Sequence, residues 1–210
     1  MTLRLAAALS LLLGATALAA YLHIMGHGPL AGEAARHMRA MKDRCAAPES
    51  VRVVTLADFA ALPHREALAV YAPLERRGVV MEGYVQRFMR AVDDDYHLEI
   101  APTRRGSGGP DTVYATAEIT PGLRNGSRHW SYESLVAAFR PTRGGATPWE
   151  TGPRRVRVSG WLLYDYPYDA PPSEWDKRMA SPRISGWEIH PVTRIELWND
   201  ALARYVDLPR

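Results

Sequence analysis

Two histidine–glutamate pairs in strand-like segments are the clearest chemical signal in this sequence. His97 precedes Glu99, and Glu188 precedes His190. Side chains at positions i and i+2 of a strand point to the same side, so each pair could direct two ligands at one ion. The four residues together could therefore hold a divalent metal. Because a strand histidine more often bonds a carboxylate or a backbone carbonyl, we keep this metal site as an alternative and assign no cofactor.

Three consecutive aspartates, residues 93–95, suggest a second kind of chemistry. Together with Glu99, Arg87 and Arg90 they resemble in residue type the inventory of a barrel nuclease of the staphylococcal type. In such an enzyme carboxylates hold a calcium ion and arginines neutralise a phosphate. The match is one of residue types and not of an ordered motif. Aspartates in a tight turn more commonly bond the local backbone, so a metal-dependent phosphodiesterase is the alternative interpretation.

A long segment at residues 165–185 is the preferred candidate for a binding surface. It contains Tyr166, Tyr168, Trp175 and Arg178 among several prolines and charged residues. Connections longer than about 15 residues in compact domains are usually functional or disordered. Aromatic rings stack on sugars or bases, and an arginine pairs with anionic groups. These four residues are therefore the ligand-binding candidates, unless the rings fold back to cover the mouth of the domain.

Other functional classes find little support in the sequence. The 26 basic and 23 acidic residues give a formal net charge of +3, and the arginines are scattered, so no basic tail for nucleic acid is present. The glycine-rich residues 106–109 lack the strand, helix and lysine of a phosphate loop. We find no nucleophile elbow and no paired-histidine zinc motif. No catalytic residue is assigned, and a non-enzymatic role is favoured.

The start of the chain indicates export. Residues 5–22 carry no charge and are nearly all leucine and alanine, and residues 17–19 offer a small-x-small cleavage site. Residues 1–20 are predicted to be a signal peptide or an uncleaved inner-membrane anchor. Either alternative places the folded part in the periplasm or outside the cell, with membrane contact only for the anchor. The single cysteine, Cys45, excludes an internal disulfide and a thiolate metal cluster.

The elements that must position these residues are five strand-like runs with one helix between the third and fourth. This order, β-β-β-α-β-β, is typical of a five-stranded OB-like barrel, and we predict a mainly β fold of this class. The domain is predicted to span residues 76–210, after a helical extension at residues 21–75. The predicted strands are residues 79–90, 96–101, 113–120, 155–164 and 187–198, and the predicted helix is residues 132–139.

Alternation along the predicted strands assigns their faces. Leu98 and Ile100 share one face of the second strand, and His97 and Glu99 share the other. We expect the first face to be core and the second to be solvated. The second and fifth strands of this barrel order are not neighbours, so the two histidine–glutamate pairs are not expected to converge. Pro191 cannot donate to a strand ladder, which predicts a bulge or an edge there.

The extension shows helical spacing and clear breaks. Apolar residues recur at helical intervals from Leu30 to Cys45, and Pro48 closes this run. Thr55 can cap a second short helix that ends by Pro63, and one or two further turns follow before residue 73. Such a helical piece either packs on the barrel or forms a stalk.

Two segments give the chain a specific resemblance. Residues 95–98, Asp-Tyr-His-Leu, and residues 187–192, Trp-Glu-Ile-His-Pro-Val, resemble a group of uncharacterised exported bacterial proteins with an OB-fold-like core. The resemblance covers roughly residues 55–198. It implies the fold and export but brings no activity, substrate or catalytic residue. The sequence thus predicts an exported binding module for an oligosaccharide, a single-stranded nucleic acid or an envelope protein. A structural envelope component is a further alternative.

Overall fold

A computed structural model of the chain describes residues 32–91, 93–104, 113–139, 142–143, 153–169 and 183–209. By its internal contacts the chain divides into two units, residues 1–41 and 42–210. The predicted signal peptide or anchor at residues 1–20 lies outside the described residues. Within the described residues, no helix combines the length and the apolar character needed to cross a membrane.

The helices that the structure describes are short and lie mainly before the barrel. Thr55 caps α2: its hydroxyl accepts a hydrogen bond from the Asp58 N–H, and the Asp58 carboxylate accepts one from the Thr55 N–H. This reciprocal capping box confirms the cap predicted at Thr55. The α-helices are α1 Glu33–Lys42, α2 Leu56–Ala60, α3 Leu68–Tyr71, α4 Pro121–Gly126 and α5 Tyr132–Phe139, and 3₁₀ helices occupy Leu74–Arg76 and Tyr166–Asp169.

Strands are the main regular elements described in the second unit, and the five predicted ones are all present. The ends of the observed strands differ from the predicted ends by no more than four residues. The short strands β1, β5 and β8 were not predicted. The strands are β1 Arg52–Val54, β2 Gly78–Arg90, β3 Tyr96–Ala101, β4 Tyr114–Ile119, β5 Thr142–Arg143, β6 Arg154–Tyr164, β7 Arg183–Asn199 and β8 Arg204–Asp207.

Five of these strands close into a barrel. Strand β3 pairs antiparallel with β2 and with β4, β7 pairs parallel with β4 and antiparallel with β6, and β6 returns antiparallel to β2. Helix α5 lies between β4 and β6 in the chain, as the β-β-β-α-β-β order requires. The fold is therefore mainly β, a five-stranded OB-like barrel with a helical extension, as predicted from the sequence.

The barrel interior is filled by one face of each strand. Leu98 and Ile100 of β3, Ala117 of β4, Val158 of β6 and Ile189 of β7 are all fully buried in one apolar cluster. Successive side chains of a strand alternate between faces, so these residues turn their neighbours to the outside of the barrel. The residues of chemical interest lie on that outer face.

A bulge in β7 marks the position of Pro191. Val192 pairs with Gly160 of β6, whereas Ile189 pairs with Leu162, so two residues of β7 oppose one residue of β6. This arrangement confirms the bulge predicted at Pro191, and the His190–Pro191 peptide bond is cis. A Cβ atom at Gly160 would lie 2.3 Å from the Pro191 carbonyl oxygen, so only glycine permits this close approach.

Candidate functional site

The strand register places both histidines beside one glutamate that the sequence patterns did not single out. His97 of β3 is directly opposite Glu118 of β4. Strand β7 pairs with the other edge of β4, where Thr116 is opposite Glu188 and Ala117 is opposite Ile189. The outer faces of β3, β4 and β7 therefore form a continuous surface with Glu118 at its centre.

Short distances connect these side chains into one cluster. Glu118 Oε1 lies 3.1 Å from His97 Nε2, and Glu118 Oε2 lies 3.0 Å from His190 Nδ1. The same His190 nitrogen lies 3.0 Å from Glu188 Oε1, while His190 Nε2 faces Asp95 Oδ2 at 3.8 Å. We call Asp95, His97, Glu118, Glu188 and His190 the acid–histidine cluster. His97 thus converges with Glu188 and His190, contrary to the expectation, through Glu118 on the strand that lies between them.

The expectation that this face is solvated was wrong. Glu188 and His190 are fully buried, and Glu118 and Asp95 retain 2% and 7% of their exposure. Alternation shows which residues share a face, but it does not show what covers that face. Arg183 of β7 pairs with Glu118 at 3.6 Å and with Glu188 at 3.3 Å.

Only one of the two predicted histidine–glutamate pairs is a contact. Glu188 meets His190, but Glu99 turns away from His97 and is held by other groups. Its carboxylate accepts a hydrogen bond from the Thr116 hydroxyl at 3.3 Å and lies 3.6 Å from an Arg87 nitrogen. Glu99 is therefore an ion-paired residue beside the acid–histidine cluster and not a member of it.

Two cations help to neutralise the surface. Arg183 lies between the cluster carboxylates and the Tyr168 ring, whose centroid is 4.2 Å from the guanidinium carbon. Lys42 forms an ion pair of 2.7 Å with the buried carboxylate of Asp165. Burial alone would lower the pKa of Lys42, but the charges of Asp165, Glu188 and Glu118 together raise it. Lys42 is therefore held as a cation next to the cluster.

The cluster perturbs the ionisation of its members in opposite directions. Burial raises the pKa of Asp95 to about 7, and burial together with the Glu118 charge raises the pKa of Glu188 to about 7. Burial would also raise the pKa of Glu118, but His97 and His190 hold it well below its usual range. Burial opposes the charging of His190, yet the Glu118 and Glu188 carboxylates beside its ring raise its pKa to about 9. Negative charge is thus most favourable on the central glutamate.

Two buried atoms in the cluster lack hydrogen-bond partners. His190 Nδ1 has one position for a hydrogen and two carboxylate oxygens at 3.0 Å, and its hydrogen-bond geometry favours Glu188. Glu118 Oε2 is left without a hydrogen bond, and so is His190 Nε2. Asp95, Glu118 and His190 can each present one ligand atom so that the three atoms lie within 4.8 Å of one another. They form the group among the described residues that could hold a metal ion.

The aspartate run does not act as one unit. The Asp93 carboxylate accepts a weak hydrogen bond of 3.4 Å from the Asp95 N–H, as expected for a turn. Asp94, with φ of 76°, pairs with Arg90 and Arg124 at the surface. Asp95 alone points into the acid–histidine cluster. The arrangement anticipated for a phosphodiesterase, with several aspartates on one ion, is therefore absent from the described residues 93–95.

The candidate binding segment begins with a 3₁₀ helix, Tyr166–Asp169. Tyr166 and Tyr168 lie in this helix, and Tyr168 is 58% exposed. Trp175 and Arg178 lie outside the described residues. The two tyrosines thus remain candidates whose positions are now known.

Asp169 fixes this helix in place. Its carboxylate accepts hydrogen bonds from the Tyr164 hydroxyl at 2.6 Å and from the Gly186 N–H at 3.1 Å, and it lies 3.0 Å from His64 Nδ1. The Tyr164 oxygen in turn accepts a hydrogen bond from the Arg65 N–H at 2.7 Å. We call His64, Tyr164, Asp169 and Gly186 the Asp169 clasp. It ties the segment after β6 to the start of β7 and to the loop before α3.

Comparison with known proteins adds little to this description. No family model and no curated protein matches the chain. Similar solved structures include the OBody AM3L09 bound to hen egg-white lysozyme, with 15% identity and a TM-score of 0.34 over 60% of this chain and 86% of that one. They also include Entamoeba histolytica asparaginyl-tRNA synthetase (AsnRS), with 15% identity and a TM-score of 0.34 over 76% of this chain.

The same synthetase in complex with asparaginyl-adenylate has 16% identity and a TM-score of 0.36 over 77% of this chain. This chain spans only 24% of the synthetase length in either form. TM-scores of this size describe a coarse likeness, and the fold stands on its strand pairings alone.

Proposed function

We propose that this protein is an exported, non-catalytic binding module that takes its ligand on the aromatic segment between β6 and β7. The observation that carries the proposal is the Tyr168 side chain. Tyr168 is 58% exposed, although the next residue in the helix, Asp169, is held by the Tyr164 hydroxyl, the Gly186 N–H and the His64 ring. An exposed ring on an anchored backbone provides stacking area at low entropic cost. The export part of the proposal is supported by the uncharged leucine–alanine segment at residues 5–22.

The position of the segment supports the same function. In OB barrels the ligand commonly binds across the second and third strands and against the loops that follow the first and fourth. Here the described parts of those elements are β3, β4, residues 93–95 and the 3₁₀ helix after β6. The Arg183 guanidinium stacks on the Tyr168 ring at 4.2 Å and restrains it further. A ring-containing ligand, such as an oligosaccharide or a single-stranded nucleic acid, fits an exposed tyrosine of this kind.

The phosphodiesterase alternative receives less support than binding. Asp94 is occupied by Arg90 and Arg124, and Asp95 is buried beside His190. A phosphodiester substrate would need carboxylates that are open to it. We therefore keep catalysis out of the proposal, and an envelope component without a small ligand is the outcome if no binding is found.

Calorimetric titration of the full chain with a panel of oligosaccharides and single-stranded oligonucleotides tests the proposal. Loss of one stacking ring costs about 1–3 kcal/mol, so Tyr168→Ala should weaken binding by about 5- to 150-fold. Trp175→Ala tests the part of the segment that the structure does not describe. Tyr132→Ala is the matched control, because Tyr132 is also exposed, at 42%, but lies on α5. No binding across the panel, or equal losses for Tyr168→Ala and Tyr132→Ala, would overturn the proposal.

A further inference from the structure

We propose that Asp95, Glu118 and His190 form a binding site for one divalent transition-metal ion. This site does not rest on the proposed ligand surface, because none of its three residues lies in the 3₁₀ helix that carries Tyr168: Asp95 directly precedes β3, Glu118 lies in β4 and His190 lies in β7. One imidazole and two carboxylates are the donor set that zinc, manganese or ferrous iron accepts. The set differs from the four residues suggested by the sequence pattern and shares only His190 with them.

The geometry requires only a small adjustment. One ligand atom of each residue lies within 4.8 Å of the other two. Neighbouring ligands bound at about 2.0–2.2 Å in a tetrahedral site are about 3.4 Å apart. The most widely separated pair would therefore need to close by up to roughly 1.4 Å around an ion. Side-chain rotation provides a movement of this size without a change in the barrel.

The unpaired imidazole nitrogen is the observation that points to a ligand. His190 is fully buried, and its Nε2 atom faces Asp95 at 3.8 Å without a hydrogen-bond partner. A buried polar atom without a partner costs about 1–3 kcal/mol. Glu118 Oε2 carries the same kind of cost beside the same imidazole ring, 3.0 Å from its Nδ1 atom. A metal ion bound to both atoms would remove both costs.

The surroundings of His190 match the outer shell of a metal site. Its Nδ1 atom is hydrogen-bonded to Glu188 Oε1 at 3.0 Å, which leaves Nε2 as the atom that faces Asp95. A metal-bound histidine usually donates its other N–H to a carboxylate, which fixes the ring and its tautomer. Glu188 is therefore a positioning residue, and His97 holds Glu118 in the same way through Oε1 at 3.1 Å.

The net negative charge of the groups around the site matches the charge of a divalent cation. Asp95, Glu118 and Glu188 carry three formal negative charges, and Arg183 is ion-paired with the last two. With neutral imidazoles, as metal ligation requires, two negative charges remain in this group. One divalent ion would balance them. Because buried charges persist only when they are paired, this balance favours an occupied site.

The experiment loads the chelator-treated full chain with Zn²⁺, Mn²⁺ or Co²⁺ and measures stoichiometry by mass spectrometry of the metal and affinity by calorimetry. We expect one ion per chain, and a Co²⁺ absorption spectrum that shows nitrogen and oxygen ligands. Asp95→Asn, Glu118→Gln and His190→Gln should each weaken affinity more than tenfold. Glu99→Gln is the matched control, because Glu99 is an equally buried carboxylate on the same face that is held by Arg87 and Thr116, and its affinity should change less than twofold.

A measurement on the unmodified chain keeps the test valid if a variant does not fold. On addition of Zn²⁺, the ¹⁵N resonance of His190 Nε2 should move to the range of a metal-bound nitrogen, while Nδ1 keeps its proton. The proposal is overturned if the folded chain binds no stoichiometric metal, if the Nε2 resonance does not move, or if Glu99→Gln weakens binding as much as the three ligand variants.

Discussion

The Asp169 clasp and the acid–histidine cluster both place a carboxylate against a histidine next to β7, yet their hydrogen-bond balance is opposite. In the clasp, three groups converge on the oxygens of Asp169. In the cluster, Glu118 and Glu188 compete for one nitrogen of His190, and two buried atoms remain unpaired. A site whose acceptors are all satisfied is complete as a structural element. A buried site with excess acceptors is complete only with an additional cation or proton.

The pKa values of Asp169 and Asp95 shift in opposite directions, in line with this contrast in hydrogen bonding. Burial would raise the pKa of Asp169, but the hydrogen bonds from Tyr164, Gly186 and His64 lower it. Burial raises the pKa of Asp95 to about 7 against the attraction of His190. The clasp therefore stabilises its negative charge, whereas the cluster opposes the charge of Asp95.

Removing the carboxylate of the clasp should have the largest effect on stability. Asp169→Ala leaves the Tyr164 hydroxyl and the Gly186 N–H without their acceptor, so we expect a loss of about 2–4 kcal/mol of unfolding free energy. Urea denaturation followed by circular dichroism measures it. Asp200→Ala is the control, because Asp200 accepts only one exposed hydrogen bond, from the Trp198 indole at 3.0 Å, and should cost less than about 0.5 kcal/mol. Equal losses of stability for Asp169→Ala and Asp200→Ala would show that the clasp hydrogen bonds stabilise the fold no more than an exposed one does.

Adding metal should affect the cluster and leave the clasp unchanged. A ligand present at 100 times its dissociation constant stabilises the folded state by about 2.7 kcal/mol. We expect Zn²⁺ to stabilise the wild-type chain and the Asp169→Ala variant by equal amounts, measured by urea denaturation with and without a chelator. This expectation is contradicted if zinc stabilises neither chain, or if it stabilises the wild type and the Asp169→Ala variant by different amounts.

Neutralising one acid of the cluster should stabilise the metal-free chain. Asp95→Asn keeps the shape of the side chain and removes one of the three negative charges of the acid–histidine cluster. We expect a gain of about 1 kcal/mol in the presence of chelator, because burial opposes the charge of Asp95 and outweighs the attraction of His190. Asp95→Asn and Asp169→Ala should therefore change the free energy of unfolding in opposite directions. A loss of stability for Asp95→Asn without metal would contradict it.

Acid should act on the clasp with a small but directional effect. The folded pKa of Asp169 lies below its usual value, so its contribution to stability is present above the unfolded pKa and is lost as the pH falls through the folded pKa. The stability difference between wild type and Asp169→Asn should therefore shrink below about pH 4. Urea denaturation at a series of pH values measures this difference. A difference that grows on acidification would show that Asp169 is not stabilised as an anion.

The strands were predictable because they depend on local signals. Alternation, glycine and proline located the five barrel strands to within four residues, and the start of β7 at Arg183 instead of residue 187 is the largest shift. The cap at Thr55 and the bulge at Pro191 were predicted correctly because each depends on a hydrogen-bonding property of the residue itself and its near neighbours. These features need no knowledge of distant contacts.

The candidate site was only partly predictable because it depends on pairing across strands. The spacing of Glu188 and His190 revealed one true contact. Glu118 could have been identified only from the register that sets it opposite His97, and no local pattern distinguishes it from the other outward residues of β4. Lys42 comes from far along the chain and Arg183 from the start of β7, and their positive charges help to stabilise the carboxylates on a face that alternation assigned to solvent.

The parallel pairing of β4 with β7 also determines when the proposed site can exist. Glu118 and His190 come from segments far apart in the sequence, and only this pairing brings them together. Contacts between distant segments form late in folding, because the entropy of closing the intervening chain must be overcome first. The three ligands therefore have no common position until the barrel has closed. Metal binding during refolding would then report when the barrel closes. The rate of metal binding should equal the rate at which β7 joins the sheet.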